Sequence, residues 1–197
     1  MISSENLSWQ EALARLKEGN ERYVTENPTN PNNTADRRQS LRGYQAPFAI
    51  ILSCADSRVI PELAFDQGIG DIFTIRVAGN IANTASLGSI EYAIANLGVN
   101  LIVVLGHENC GAVTAAIGGG DNGYNLNHLV AEILPAINAS TDKRVNAVVK
   151  KNAEMNAGQI VIRSPIIQKA MKEREIKILP AYYELGSGKV DFMEELA

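Results

Sequence analysis

Phe48-Ala49-Ile50-Ile51-Leu52-Ser53-Cys54-Ala55-Asp56-Ser57-Arg58 opens on five consecutive apolar residues and closes on a thiol, a carboxylate and a guanidinium. An unbroken apolar run of that length reads as a strand covered on both faces, as in a parallel sheet. A second stretch repeats the arrangement: Leu101-Ile102-Val103-Val104-Leu105-Gly106 leads into His107-Glu108-Asn109-Cys110-Gly111. The 197 residues contain only two cysteines and two histidines, and both cysteines and one histidine fall just after these runs. Ligands of an open parallel sheet bind outside the carboxyl ends of its strands, so both motifs stand where chemistry is expected.

Working outward, 71–77 reads as another strand and 59–65 as a short helix before it. Leu87, Ile90, Ile94 and Leu97 form one face of a helix that Gly98 ends in a left-handed cap. Helices are predicted over 110–117, 125–139, 141–157 and 164–174, and a fourth strand over 176–179. Pro180 cannot donate to a ladder, which puts that strand near the sheet edge. Gly186-Ser187-Gly188 reads as a hairpin turn into a last strand over 189–193. Ahead of the sheet, Ser8 and Glu11 have capping-box spacing, and Trp9, Leu13, Leu16 and Tyr23 share a helix face. That face needs cover from its own domain or from a partner subunit. The stretch 28–33 reads as an ordered crossing loop, and Gly118-Gly119-Gly120 as a flexible surface loop. The predicted class is α/β: a mostly parallel sheet of four strands plus an antiparallel strand, helices on both faces, and an N-terminal helical arm. One domain is expected over 1–197, with the arm over 1–45 and the α/β core over 46–197.

A formal net charge of −4 without blocks of like charge argues against a nucleic-acid surface and a polybasic membrane patch. The first residues lack a basic segment followed by an apolar one, so no secretory leader is read. The longest apolar runs are far short of the ~20 residues that span a bilayer. A cytoplasmic location follows, where two cysteines serve as thiols or metal ligands more often than as a disulfide. A Cys54–Cys110 disulfide is the plainer alternative.

Two thiols and one imidazole form a Cys₂His set, known from catalytic zinc sites that keep a fourth position for water. His-x-x-Cys alone recurs by chance; its pairing with a second cysteine at another strand end makes it specific. A closed structural zinc with Asp56 as fourth ligand is the alternative. Arg58 offers a rigid fork that a carboxylate accepts bidentately, so an Asp56–Arg58 pair keeps the carboxylate ionised and oriented. His128 reads as a packing or surface residue, and Glu108 and Asn109 as solvated residues that shape the turn.

These motifs resemble the β-class carbonic anhydrases. Cys54-Ala55-Asp56-Ser57-Arg58 is similar to that family's Cys-x-Asp-Ser-Arg segment, and Gly106-His107-Glu108-Asn109-Cys110-Gly111 to its Gly-His-x-x-Cys-Gly. The resemblance extends through 70–80, 89–93, the 16–23 helix and the 186–192 hairpin, nearly the whole chain. It implies reversible hydration of carbon dioxide to bicarbonate and a proton by a zinc-bound hydroxide, with one zinc per chain on Cys54, His107 and Cys110. Asp56 and Arg58 become the catalytic dyad, and Gln45, Phe73, Ala78 and Tyr92 the substrate pocket. Ala78 stands where some members carry a larger aliphatic. The family assembles as dimers that swap N-terminal helices, so a homodimer or dimer of dimers is expected. A subset of the family has Trp three residues before the first ligand cysteine, lining a bicarbonate site; Ile51 stands there in this chain. An open zinc without that switch is therefore expected. Hydrolysis of carbonyl sulfide or carbon disulfide on the same scaffold, and a non-catalytic zinc-stabilised protein, are the alternative functions.

Overall fold

The computed structural model describes residues 7–193; most of the leader reading, over 1–6, lies outside them. Five strands form one sheet in the order β2-β1-β3-β4-β5. They are β1 (Ala49–Ser53), β2 (Ile72–Arg76), β3 (Leu101–His107), β4 (Lys177–Tyr183) and β5 (Val190–Phe192). The first four run parallel, and β5 returns antiparallel to β4, which is the expected class. No helix among the described residues is long and apolar enough to cross a membrane.

Strand alternation sends successive side chains to opposite faces. Ala49, Ile51, Val103 and Leu105 face one core with Ala12, Leu16 and Phe65; Ile50, Leu52, Ile102 and Val104 face a second with Leu87, Ile90, Ala153 and Ile160. Every residue of β1 and β3 is buried, and a fully buried Ile or Leu contributes about 1.5–3 kcal/mol. The two central strands therefore anchor the molecule. A third cluster at their carboxyl end holds Cys54 and Cys110 with Val113, Ile133 and Val149.

Helix α1 (Trp9–Val24) begins with the expected capping box: Ser8 accepts from the Glu11 amide while the Glu11 carboxylate takes the Ser8 amide. Its buried face is Ala12, Leu16, Gly19 and Asn20, with Trp9, Leu13 and Tyr23 half-buried beside it. That face is covered by the chain's own core. Short helices α2 (Ala35–Ser40) and α3 (Pro61–Ala64) flank β1, and α4 (Thr84–Tyr92) runs into a π turn that Gly98 closes at φ 70°. After β3 come α5 (Gly111–Gly118), α6 (Tyr124–Ala131), α7 (Leu134–Ala139), α8 (Val145–Arg163) and α9 (Pro165–Glu173), with α8 and α9 on the same core as α4.

Three expectations need correction. The helix expected over 125–139 is two, because Pro135 at the start of α7 has no amide to continue the ladder. The helix expected over 141–157 starts at Val145 and runs to Arg163, since Asp142 and Arg144 form a turn first. Pro180 lies inside β4, the penultimate strand, opposite Val104. Its carbonyl accepts from Met193, so its missing donor also faces the β5 side, where the antiparallel ladder runs out.

The 28–33 loop is ordered by Asp66, which accepts from the amides of Thr29 and Asn30, the Thr29 hydroxyl and the Arg22 guanidinium at 2.6–3.0 Å. Burial raises the Asp66 pKa, but these donors outweigh it and bring the value down to about 2. A depressed carboxylate stabilises the fold above its unfolded pKa near 3.9, and that contribution is lost as pH falls towards 2. Asp66→Asn, which keeps the left-handed backbone (φ 45°) accessible, is expected to cost about 2–3 kcal/mol at pH 7. The difference should shrink between pH 4 and pH 2 in urea titrations followed by Trp9 fluorescence.

Candidate metal centre

Parallel pairing sets Ser53 opposite Leu105, so Cys54 leaves β1 beside the end of β3. His107 is the last residue of β3 and is fully buried. Asn109 then turns the chain at φ 52°, its amide donating to Asn146 Oδ1 of α8, and Cys110 caps α5. Cys54, His107 and Cys110 are all buried, and their ligand atoms lie within 4.8 Å of one another. The two thiols are free, with Sγ atoms 4.0 Å apart. Two Zn–S bonds at a tetrahedral angle span about 3.8 Å.

His107 Nδ1 lies 2.9 Å from the Glu108 carbonyl. A carbonyl only accepts, so Nδ1 carries the proton and Nε2 a free lone pair. Nε2 is buried with no hydrogen-bond partner, a costly state for a polar atom. An orphaned acceptor facing two thiols fits zinc, which takes soft sulfur and imidazole nitrogen together. The pair of thiols is strongly polarised. Hydrogen bonding from Cys110 is the main influence drawing Cys54 down to about 4, against burial, with His107 and the Gly79 amide adding to it; Cys110 is pushed up by the same contact. The Gly79 amide reaches Cys54 Sγ at 3.3 Å, from a backbone at φ 74°. That left-handed backbone favours glycine; a Cβ there would also come within 2.8 Å of Ile133 Cδ1, the movable end of that side chain.

Asp56 and Arg58 form the expected fork. Arg58 Nε and Nη2 donate to the two Asp56 oxygens at 2.9 and 2.8 Å, and the Arg58 amide adds a third bond at 3.0 Å. The guanidinium is the chief cause of an Asp56 pKa far below the usual carboxylate range. Asp56 Oδ2 lies 3.9 Å from His107 Nε2, and the three-residue cluster does not include it. Arg76, which sequence reading passed over, donates to the Cys54 and Asp56 carbonyls at 3.0 and 2.6 Å and so fixes the turn between them.

The other expected site residues lie elsewhere. Gln45 is exposed, beyond the amino end of β1, with about 17 Å of strand between it and Cys54. Phe73, on the edge strand β2, is opposite Ile50, and its ring centroid is 6.4 Å from that of the half-exposed Tyr92. Ala78, half-buried, precedes Gly79 in the short 3₁₀ turn. His128 lies on α6 away from the cluster, as read. Glu108 departs from expectation. It is half-buried, its amide donates to Tyr183, and its carboxylate takes the Leu185 amide at 3.0 Å.

An open, mostly parallel sheet that presents Cys₂His from two neighbouring strand ends defines an α/β zinc enzyme. A family model described as carbonic anhydrase matches residues 49–190. Carbonic anhydrase 2 of Mycobacterium tuberculosis is 38% identical over 185 residues, covering 90% of this chain and 89% of its own. A carbonic anhydrase of Mycolicibacterium smegmatis is 37% identical over 192 residues, covering 94% and 93%. Among solved structures, a tetrameric β-carbonic anhydrase of Sordaria macrospora superposes with a TM-score of 0.73 at 26% identity, covering 93% of this chain and 95% of that one. The β-carbonic anhydrase CafA of Aspergillus fumigatus gives 0.74 at 25% identity, covering 95% and 91%. The chain belongs to the β-class carbonic anhydrase family. Its reaction is the reversible hydration of carbon dioxide, a lyase reaction.

Zinc in thousandfold excess over its Kd should raise stability by about 4 kcal/mol, or the Tm by about 8–16 °C. His107→Ala should abolish both the shift and stoichiometric zinc, read by calorimetry and metal analysis.

Proposed function

We propose that Asp56 and Arg58 carry carbon dioxide hydration beside a zinc held by Cys54, His107 and Cys110. Zinc supplies the Lewis acidity that makes the oxygen of water nucleophilic near neutral pH. Asp56 Oδ2 would accept a hydrogen bond from the attacking O–H, which turns an oxygen lone pair towards carbon, and Asp56 itself stays anionic. Arg58 holds both Asp56 oxygens, so the carboxylate stays anionic and does not swing in as a fourth ligand. The observation that carries this reading is the three-bond fork between Asp56 and Arg58, 3.9 Å from His107 Nε2. Residue 51 is a buried Ile and not the Trp that a subset of the family carries at that position, which favours an open state.

Gln45 precedes the amino end of β1, Phe73 lies near the amino end of β2, and Tyr92, at the end of α4, packs beside Phe73; we assign the three to the site of a second copy. Gln45 then orients the substrate through its amide, and the two rings give a linear apolar molecule an apolar wall. The exposed edge of β2 and the half-exposed Tyr92 suit such a homodimer.

Stopped-flow hydration of carbon dioxide tests the dyad. Asp56→Asn should lose about 100-fold in kcat/KM while keeping its zinc; an unchanged rate overturns the assignment. Mixing Gln45→Ala with His107→Ala subunits tests the shared site. If Gln45 acts in trans, each mixed dimer holds one intact site and activity returns; if it acts in cis, mixing restores nothing.

A further inference from the structure

We propose that Asn146, in the first turn of α8, is a positioning residue of the zinc centre, holding the peptide unit that orients the His107 ring. That unit joins Glu108 to Asn109. Its carbonyl meets His107 Nδ1 at 2.9 Å, and its N–H donates to Asn146 Oδ1 at 2.9 Å. A trans peptide is planar, with its N–H and C=O on opposite edges and pointing opposite ways. The unit can turn only about the line between its two Cα atoms, and that turn swings both groups together. Fixing the N–H on Asn146 therefore aims the carbonyl at the ring. Among the described residues no other hydrogen bond reaches this unit; the Glu108 amide that donates to Tyr183 belongs to the peptide before it.

The backbone makes that restraint necessary. Asn109 is held at φ 52°, a left-handed conformation that is costly for a residue with a Cβ. Turning the peptide over would carry this φ to about −130°, a value open to any residue, and would take the carbonyl away from His107. Asn146 opposes the turn, because the N–H would lose its acceptor. The acceptor itself is firmly mounted. Val148 and Val149 of the same helix are fully buried, and a Cβ on Gly106 would come within 2.8 Å of Val149 Cγ1. Helix α8 thus packs directly on the strand residue before His107. Just ahead of it, the Arg144 amide and Nε bond to Asp142 and fix where the helix starts. The His107 ring has no second hydrogen bond, since Nε2 is buried without a partner. The one bond that sets its tautomer and tilt therefore depends on an amide oxygen of another helix. The role requires an oxygen acceptor at residue 146 and no charge.

The inference rests on His107 being a zinc ligand, and the test separates the two. Zinc Kd is measured by competition with a chromophoric chelator for wild type, Asn146→Asp and Asn146→Leu, with urea unfolding of each metal-free form. Asp keeps an oxygen at the same reach; Leu has similar size and none. Asn146→Leu should weaken zinc about 10-fold or more and alter the visible spectrum of the cobalt-substituted protein. Asn146→Asp should keep the wild-type spectrum and bind zinc within about twofold of wild type or more tightly. Equal loss in both variants overturns the role. So does Asn146→Leu that is less stable in urea yet keeps the wild-type Kd and spectrum, which marks a purely structural contact. Failure of the wild type to take up zinc defeats the ligand assignment itself and the role with it. If Asn146→Leu does not fold, Asn146→Ala replaces it, and a Kd and cobalt spectrum matching wild type then overturn the proposal.

Discussion

Parallel pairing of β1 with β3 in one register is the constraint from which the centre follows. Ser53 stands opposite Leu105; one residue past Ser53 is the Cys54 thiol, and two past Leu105, at the last position of β3, is the His107 imidazole. A slip of one residue would turn every side chain of β1 to the other face. A slip of two would move Cys54 by about 6.6 Å along the strand, far more than a 2.3 Å zinc–sulfur bond can absorb. Apolar burial holds the register: Ala49 and Ile51 fit the α1 side, Ile50 and Leu52 the α8 side, and neither set can change places without exposing both cores. Packing at the middle of the sheet thereby sets chemistry at its end.

The carboxyl end is built at some expense to the apo fold. Two thiols, a ring nitrogen without a partner and the Ser53 hydroxyl are all buried there. Compensation comes from fixed hydrogen bonds around the site: the Gly79 amide to Cys54, Arg76 to the Cys54 and Asp56 carbonyls, and the Asn109 amide to Asn146 Oδ1. Each restrains backbone, so the geometry stands before a metal arrives. Such preorganisation concentrates the binding free energy of zinc on ligation instead of on ordering loops.

The central strands, the α1 capping box, the Gly98 cap and the Cys₂His set were legible because each rests on local pattern. Phe48–Leu52 and Leu101–Leu105 admit one reading, and a chain with so few thiols leaves little choice of ligands. The split at Pro135 was missed because apolar spacing continues across it, and the late start of α8 because the Asp142–Arg144 turn carries helix-compatible residues. Glu108 reads as solvated in the sequence because its partner, Leu185, lies 77 residues away. Nothing in the spacing of a turn announces a contact of that range. Gln45 and Tyr92 came only from family resemblance, and one chain's geometry sets them apart from its own metal ligands.

Asp56 illustrates how close geometry and competing chemistry lie. A carboxylate 3.9 Å from a zinc-ligand nitrogen is near enough to accept a hydrogen bond from a water that a metal there would hold, and nearly near enough to bind the metal. Which it does depends on what else holds it. Three hydrogen bonds from Arg58 occupy both oxygens, and charge-assisted forks of that kind are about twice as strong as neutral bonds. Arg58 in turn touches the Asn109 carbonyl at 3.4 Å, within the turn that Glu108 and Asn146 pin. The dyad and the ligand loop thus share one scaffold, and a carboxylate drawn towards the metal would have to break the fork that ties it to that scaffold.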